Sequence, residues 1–476
     1  MSLFATKPLN KIIAESEGGE HTLKRTLGAS QLVALGIGAI IGAGIFTLTG
    51  VAAANHAGPA IVYSFILAAI GCAFAGFCYS EFSTMIPIAG SAYTYAYATM
   101  GELLAWIIGW ALVLEYAVGA STVAVSWSAT IDSILHDFGV DLPRSLIASP
   151  FTAGAGQTGY FNLPAVFIIV VISSILIIGI RESARFNALI VVIKVSVVVF
   201  FIILGYLYIN RANYTPFLPP NTTGEFGAYG WSGVLRAAGQ IFFAYIGFDA
   251  VSTAAQEAKN PKRDMPLGIV GSLAICTVLY ILYAFVLTGL VNYKDLNVAA
   301  PLAVAVDRLP ASYAFVGKLL KLGSLAGLTS VILVMLLGQS RVFFSMSRDG
   351  LLPRLFSDVH PSFRTPWKSN LLLMLFVSLG AGLAPIARLG EMTSIGTLFA
   401  FVLVCIGIII MRRTQPDLPR PFKTPLVPLV PVLGILSNVA LMVGLNPLTW
   451  MAFFIWMAIG LVIFFTYSRY HSHLRS

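Results

Sequence analysis

Twelve apolar runs of bilayer-spanning length constrain this chain more than any other feature. They lie at roughly 30–54, 60–85, 102–130, 163–180, 186–209, 232–256, 267–291, 314–343, 369–386, 391–411, 427–445 and 448–468. About 20 apolar residues cross the hydrocarbon core as a helix, and hydrocarbon tolerates only backbone whose polar groups are paired internally. The expected fold class is therefore an all-α membrane protein with twelve transmembrane helices. Composition agrees: 58% of residues are hydrophobic and 10% are charged, where a soluble domain carries about 25% charged residues. So few charges cannot cover a soluble globule of this size, whereas a lipid-facing surface needs none.

Loop charges test the count. With a cytoplasmic N-terminus, 20 of the 29 Lys and Arg residues fall in inside segments, five in outside loops and four within helices. That inside excess is the signature of orientation in a membrane protein. It predicts a multi-pass protein of the cell membrane with both termini cytoplasmic, in contact with lipid and with no nucleic-acid partner behind its net charge of +9. Cys72, Cys78, Cys276 and Cys405 sit inside apolar runs and read as small core residues, not as a disulfide or metal framework. None of the six histidines forms a ligand pair on a span. The first thirty residues are mostly polar and lack the early apolar stretch of a cleavable signal. Oligomeric state is not encoded in any feature found.

Two spans carry signs of broken helices. Span one reads GIGAIIGAGIF over 36–46, with Gly36, Gly38, Gly42 and Gly44 crowded together. Each glycine costs a helix interior about 1 kcal/mol relative to alanine, which invites unwinding around Gly42–Ala43–Gly44; close helix packing is the alternative. Span six reads FFAYIGFDA over 242–250, with Gly247 next to the acidic Asp249. These spans hold the same place in two consecutive sets of five, and glycine-interrupted segments at matching positions point to a transporter site between inverted repeats. Beyond the break in span one, the amides of Ala43 and Gly44 stand at a positive helix end and suit a carboxylate. Carbonyls at the ends of the first half-helices, near Ile40 in span one and near Phe243, Ala244 and Ile246 in span six, suit an ammonium. Together they fit the zwitterionic head of an amino acid, and Ile41 and Gly42 complete the expected substrate-binding stretch.

At these residues the sequence resembles the amino acid–polyamine–organocation (APC) superfamily. GAIIGAGIF matches its span-one motif; CYSEFSTMIPIAGSAYTYAYATMGEL (78–103) resembles the segment joining its second and third helices; FFAYIGFDAVSTAAQEAKNPKRDMP (242–266) resembles span six and the loop after it. GWALVLEYAVGASTVAVSWS (109–128) is most similar to the cationic amino acid transporter family, of the bacterial proton-coupled type. The resemblance implies a segment 1–29 before the core and a ten-helix core over 30–411. That core divides into inverted repeats at about 30–209 and 232–411, and helices eleven and twelve occupy 412–476. It also implies alternating access, makes Phe243 the aromatic lid over substrate, and leaves the substrate either cationic, such as arginine or lysine, or small and neutral, such as alanine.

Charged residues inside spans carry the remaining expectations. A lysine at mid-membrane costs about 2.5–3.5 kcal/mol to insert and usually faces the bundle interior. Lys194 matches the position where proton-coupled relatives replace sodium with an ammonium. It is read as the coupling group, with a static tie to span-one carbonyls as the alternative. Glu115 is read as a receiver of a cationic side chain, with a proton-path or structural role open. Asp249 is expected to tie the span-six break to neighbouring helices, and Glu257 and Lys259 to order the loop beyond it. Ser324, among the small residues of span eight, is an expected polar contact to substrate. Adjacent Thr329 and Ser330 do not share a helix face, so a sodium site is disfavoured. No phosphate loop, HExxH or nucleophile elbow is present, so no enzyme and no cofactor beyond a coupling proton is expected. The function expected is amino acid import by proton symport; an exchanger and a non-transporting amino acid sensor are the alternatives.

Overall fold

The structure, a computed structural model, describes residues 5–8, 27–86, 91–151, 159–179, 184–253, 255 and 258–474. Most of segment 1–29, part of the 78–103 motif and Glu257 lie outside the described residues. Among the described residues the chain is helical, and β structure is limited to one isolated parallel bridge between Leu27 and Ala258.

Helix α1 (Ala29–Ile40) is followed by a helical stretch, α2, made of π turns at Gly44–Leu48 and Ala53–Ala57 around Thr49–Ala52. Gly58, at φ 57°, turns the chain before α3 (Ile61–Met85). A short helix α4 (Ser91–Thr99) precedes α5, which runs Glu102–Asp137 through a π turn at Leu114–Val118. Then come α6 (Leu163–Ile178), α7 (Ala184–Tyr206), α8 (Gly230–Ile241) and the short α9 (Phe248–Thr253). Helix α10 (Pro261–Leu290), the short α11 (Pro301–Asp307), α12 (Ala314–Arg348), α13 (Trp367–Leu383) and α14 (Ile386–Thr414) follow. The chain closes with α15 (Leu429–Gly444) and α16 (Pro447–Ile463), whose helix runs on to His471.

Among the described residues, seven helical stretches are long and apolar enough to cross a membrane: 44–85, α5, 188–206, α10, 311–348, α14 and 447–471. Four shorter apolar helices, α1, α6, α13 and α15, accompany them. Side-chain placement inverts that of a soluble protein. On α7 Val192 and Ile203 are more than 60% exposed while Lys194 is fully buried. An apolar exterior around polar interior groups is what a lipid solvent selects. Inside, α10 packs along α1 and α3, α12 along α5 and α7, and α14 along α15. This places the ends of α1 and α8 at the centre of the bundle.

Both described chain ends meet on one face. Lys7 pairs with Asp349 at the end of α12, and the amide of His473 donates to the Asp349 carbonyl.

Candidate functional site: two helix breaks packed on each other

Both glycine-marked spans leave helical geometry, span one at Ile41–Gly42, just before the expected centre at Gly42–Ala43–Gly44. Helix α1 ends at Ile40, and Ile41 is extended at φ −71°, ψ 108°. Ala43 returns to helical angles and the π turn starts at Gly44. Helix α8 tightens into a 3-10 turn over Phe242–Tyr245; Ile246 is extended at ψ 136°, and Gly247 takes φ 117°, where L side chains are strained. Each break interrupts the helical ladder and leaves terminal amides and carbonyls that need partners.

The breaks cross at glycine contacts. A Cβ on Gly44 would stand 2.2 Å from the Ala244 Cα, and one on Gly247 would stand 2.7 Å from the Ala39 carbonyl oxygen. Helix α12 closes one side, since a Cβ on Gly42 would stand 3.1 Å from Val331 Cγ2. Ile40, Ile41, Ala43, Ala244 and Ile246 are buried here, as is Phe243.

Two carbonyls expected to be free have a neighbour that the sequence reading missed. The Tyr280 hydroxyl of α10 lies 2.9 Å from both the Ile40 and the Ala244 carbonyl oxygens. One hydroxyl proton is thus offered to one carbonyl from each break. A polar tip in the middle of an apolar helix was the available signal, because a hydroxyl in hydrocarbon needs a partner.

Lys194 Nζ donates to the Gly38 carbonyl at 2.6 Å, three residues before the break. Its stem crosses α12 at Gly327, where a Cβ would be 3.1 Å from Lys194 Cγ. This lysine therefore joins α7, α1 and α12. Glu115, fully buried in the α5 π turn, faces Asp249 of α9 and Thr397 of α14. Asp249 Oδ2 accepts from the Tyr116 hydroxyl at 2.6 Å, which ties the span-six break to α5.

Ser324 stands apart from this group. Its hydroxyl donates to the Lys321 carbonyl within α12, and Lys321 pairs with Asp137 at 2.8 Å and Asp307 at 2.9 Å. The α12 residues at the breaks are Gly327 and Val331. Seven residues of helix separate Val331 from Ser324, about 10 Å along the axis.

Among the described residues, a helical bundle with an apolar exterior and two apposed helix breaks at its centre is the build of a multi-pass membrane protein. The amino acid permease family model matches residues 27–465, and the chain belongs to that family, within the APC superfamily. It is similar over 99% of both chains to the methylthioribose transporter and to the branched-chain amino acid permease BcaP of Bacillus subtilis (strain 168), at 44% identity to each. It is also 36% identical to the vacuolar cationic amino acid transporter 4 of Arabidopsis thaliana, over 87% of this chain and 68% of that one. The family is one of permeases, not enzymes.

Proposed function

We propose that the chain imports L-amino acids by proton symport, with alternating access across twelve spans. In this reading the repeats at 30–209 and 232–411 are inverted copies whose first helices are the two broken ones. The face carrying both chain ends is cytoplasmic. The amides at Ala43 and Gly44 hold the substrate carboxylate. The carbonyls of Ile40 and Ala244 hold its ammonium, which displaces the Tyr280 hydroxyl. Phe243 closes over the bound head group.

The observation that carries the coupling is the buried Lys194 ammonium on the Gly38 carbonyl at 2.6 Å, next to the break. A group that takes and releases a proton there changes what holds α1 in place. The same bond also favours a second reading, in which Lys194 is a fixed cation and the protein exchanges amino acids without a proton. Accumulation of labelled alanine and arginine in proteoliposomes under an imposed pH gradient separates the two. Accumulation that ignores the gradient sinks symport.

The side chain carried is proposed to be cationic or neutral. The name of BcaP adds branched-chain substrates to the neutral set, and Glu115 is the group that separates the classes. Glu115→Gln is expected to reduce arginine uptake more than tenfold and alanine uptake less than threefold, since a charge-assisted contact is worth about 1.5–3 kcal/mol. Equal losses would contradict a charge-pairing role.

Tyr280→Phe leaves a buried carbonyl unpaired in the empty protein, at a cost of about 1–3 kcal/mol. The expected result is a lowered melting temperature without substrate and recovery at saturating substrate, whose ammonium occupies the same carbonyls. A deficit of equal size with and without substrate would place the ammonium elsewhere.

A further inference from the structure

Residues 5–8 form a strap fastened to α4, the start of α5 and the end of α12. The Lys7 amide donates to the Tyr97 carbonyl at 3.0 Å, and the Glu102 amide donates to the Ala5 carbonyl at 3.1 Å. The Lys7 ammonium pairs with Asp349 Oδ1 at 2.8 Å, while the Tyr93 hydroxyl donates to Asp349 Oδ2 at 2.8 Å. Lys7 is nine-tenths buried, so this pair is shielded from solvent screening in a way that surface pairs are not. The far end of the chain seals the same place. The Ser472 hydroxyl donates to Glu102 Oε2 at 2.9 Å, and the His473 amide reaches the Asp349 carbonyl at 3.1 Å. The strap, the tail, the start of α5 and the end of α12 thus converge on α4.

Helix α4 in turn supports the half-helix α9. The Tyr95 ring stacks on Phe82 of α3, with centroids 5.1 Å apart, and its hydroxyl lies beside Ser252 of α9. Tyr79 of α3 meets Phe248 of α9 edge to face at 5.6 Å. The segment after half-helix α9 is also tied to the residues before α1. The Lys259 amide donates to the Leu27 carbonyl at 2.8 Å, and Leu27 bridges Ala258. The residues before α1 and those after α9 are therefore stitched together, and the two half-helices on this face form one unit.

We infer that the N-terminal strap is an ionic lock on this unit: the Lys7–Asp349 pair holds α4 against α9 and keeps the face carrying the chain ends closed. Release of Lys7 frees α4 from α12 and removes the support beneath α9. The inference rests on the alternating-access reading, because only a half-helix that moves needs a lock.

Hydrogen–deuterium exchange on the full chain in proteoliposomes tests it. In Lys7→Ala, amides of 248–253 are expected to exchange about tenfold faster, the equivalent of roughly 1.4 kcal/mol of local opening. Amides of 119–137 in α5 are expected to keep their rates. The exchanged pair, Lys7→Asp with Asp349→Lys, is expected to restore the 248–253 rate to within about twofold of the natural protein, since the charges are again paired. An unchanged rate at 248–253 in Lys7→Ala overturns the lock. Faster exchange throughout α5 also overturns it, since the strap would then hold the whole fold. Failure of the exchanged pair to restore the rate shows that the contact is not ionic and overturns it as well. Substrate accumulation by the natural protein reports separately on transport, so a failed lock and a failed transport reading are told apart.

Discussion

Replacement of Lys194 by alanine is expected to abolish accumulation of labelled alanine under a pH gradient while exchange of external for internal alanine continues. The ammonium is fully buried and bonded to the Gly38 carbonyl at 2.6 Å, and its stem lies on Gly327 of α12. It therefore fastens α1 to the two helices beside it, α7 and α12. Buried charge in a bundle core is costly and persists where it is used. A drop of at least tenfold in gradient-driven accumulation is expected, about 1.4 kcal/mol or more of lost coupling. Lys194→Arg separates coupling from tethering. A guanidinium remains protonated throughout, so it keeps a cation at the tie and releases no proton. Under symport the arginine variant exchanges but does not accumulate. Accumulation by the arginine variant at the natural level would reject Lys194 as the proton carrier.

Gly44→Ala is expected to eliminate uptake, with a loss of tenfold or more. The added methyl would meet the Ala244 Cα at 2.2 Å, with the Ala244 amide nitrogen at 2.7 Å. These are backbone atoms of the other break, so no flexible side chain can yield. Overpacking of this kind costs about 1–3 kcal/mol even where a core relaxes. Here the relaxation available is separation of the breaks, which dismantles the proposed head-group site. Gly76→Ala is the control. Its added methyl meets Ile269 at 3.6 Å and Leu273 at 3.8 Å, ordinary contact distances, so no neighbour must shift and uptake should stay within about twofold. Substrate-dependent protection of 248–253 from exchange gives a readout independent of flux. Natural uptake by Gly44→Ala would mean that the breaks need not touch.

Helices α5 and α10 mark the limit of what the linear chain discloses. The apolar run at 102–130 reads as one span, and α5 is one helix, but nothing in LEY announces the π turn at Leu114–Val118 that contains Glu115. Tyr280 is inconspicuous because a tyrosine in an apolar helix carries no charge to mark it. Its two carbonyl partners are 240 and 36 residues away. Ser324 is ambiguous in another way. Small residues around a serine read equally well as a binding face and as a packing face, and its hydroxyl is bound within its own helix.

The sequence by itself determined that this chain lives in lipid, that the glycine-marked stretches of spans one and six are where helices weaken, and that span five carries a lysine in an apolar run. Apolar length, glycine's helix cost and the cost of a buried charge are properties of residues in order along the chain, and the matching places of spans one and six decide between a break and close packing. Only the tertiary structure decided that Gly44 crosses Ala244, that Tyr280 joins both breaks, that Lys194 takes the Gly38 carbonyl, and that Lys7 reaches Asp349. Those pairings join residues from 36 to 342 positions apart, and no local propensity specifies which distant partner a polar group will find once the helices pack.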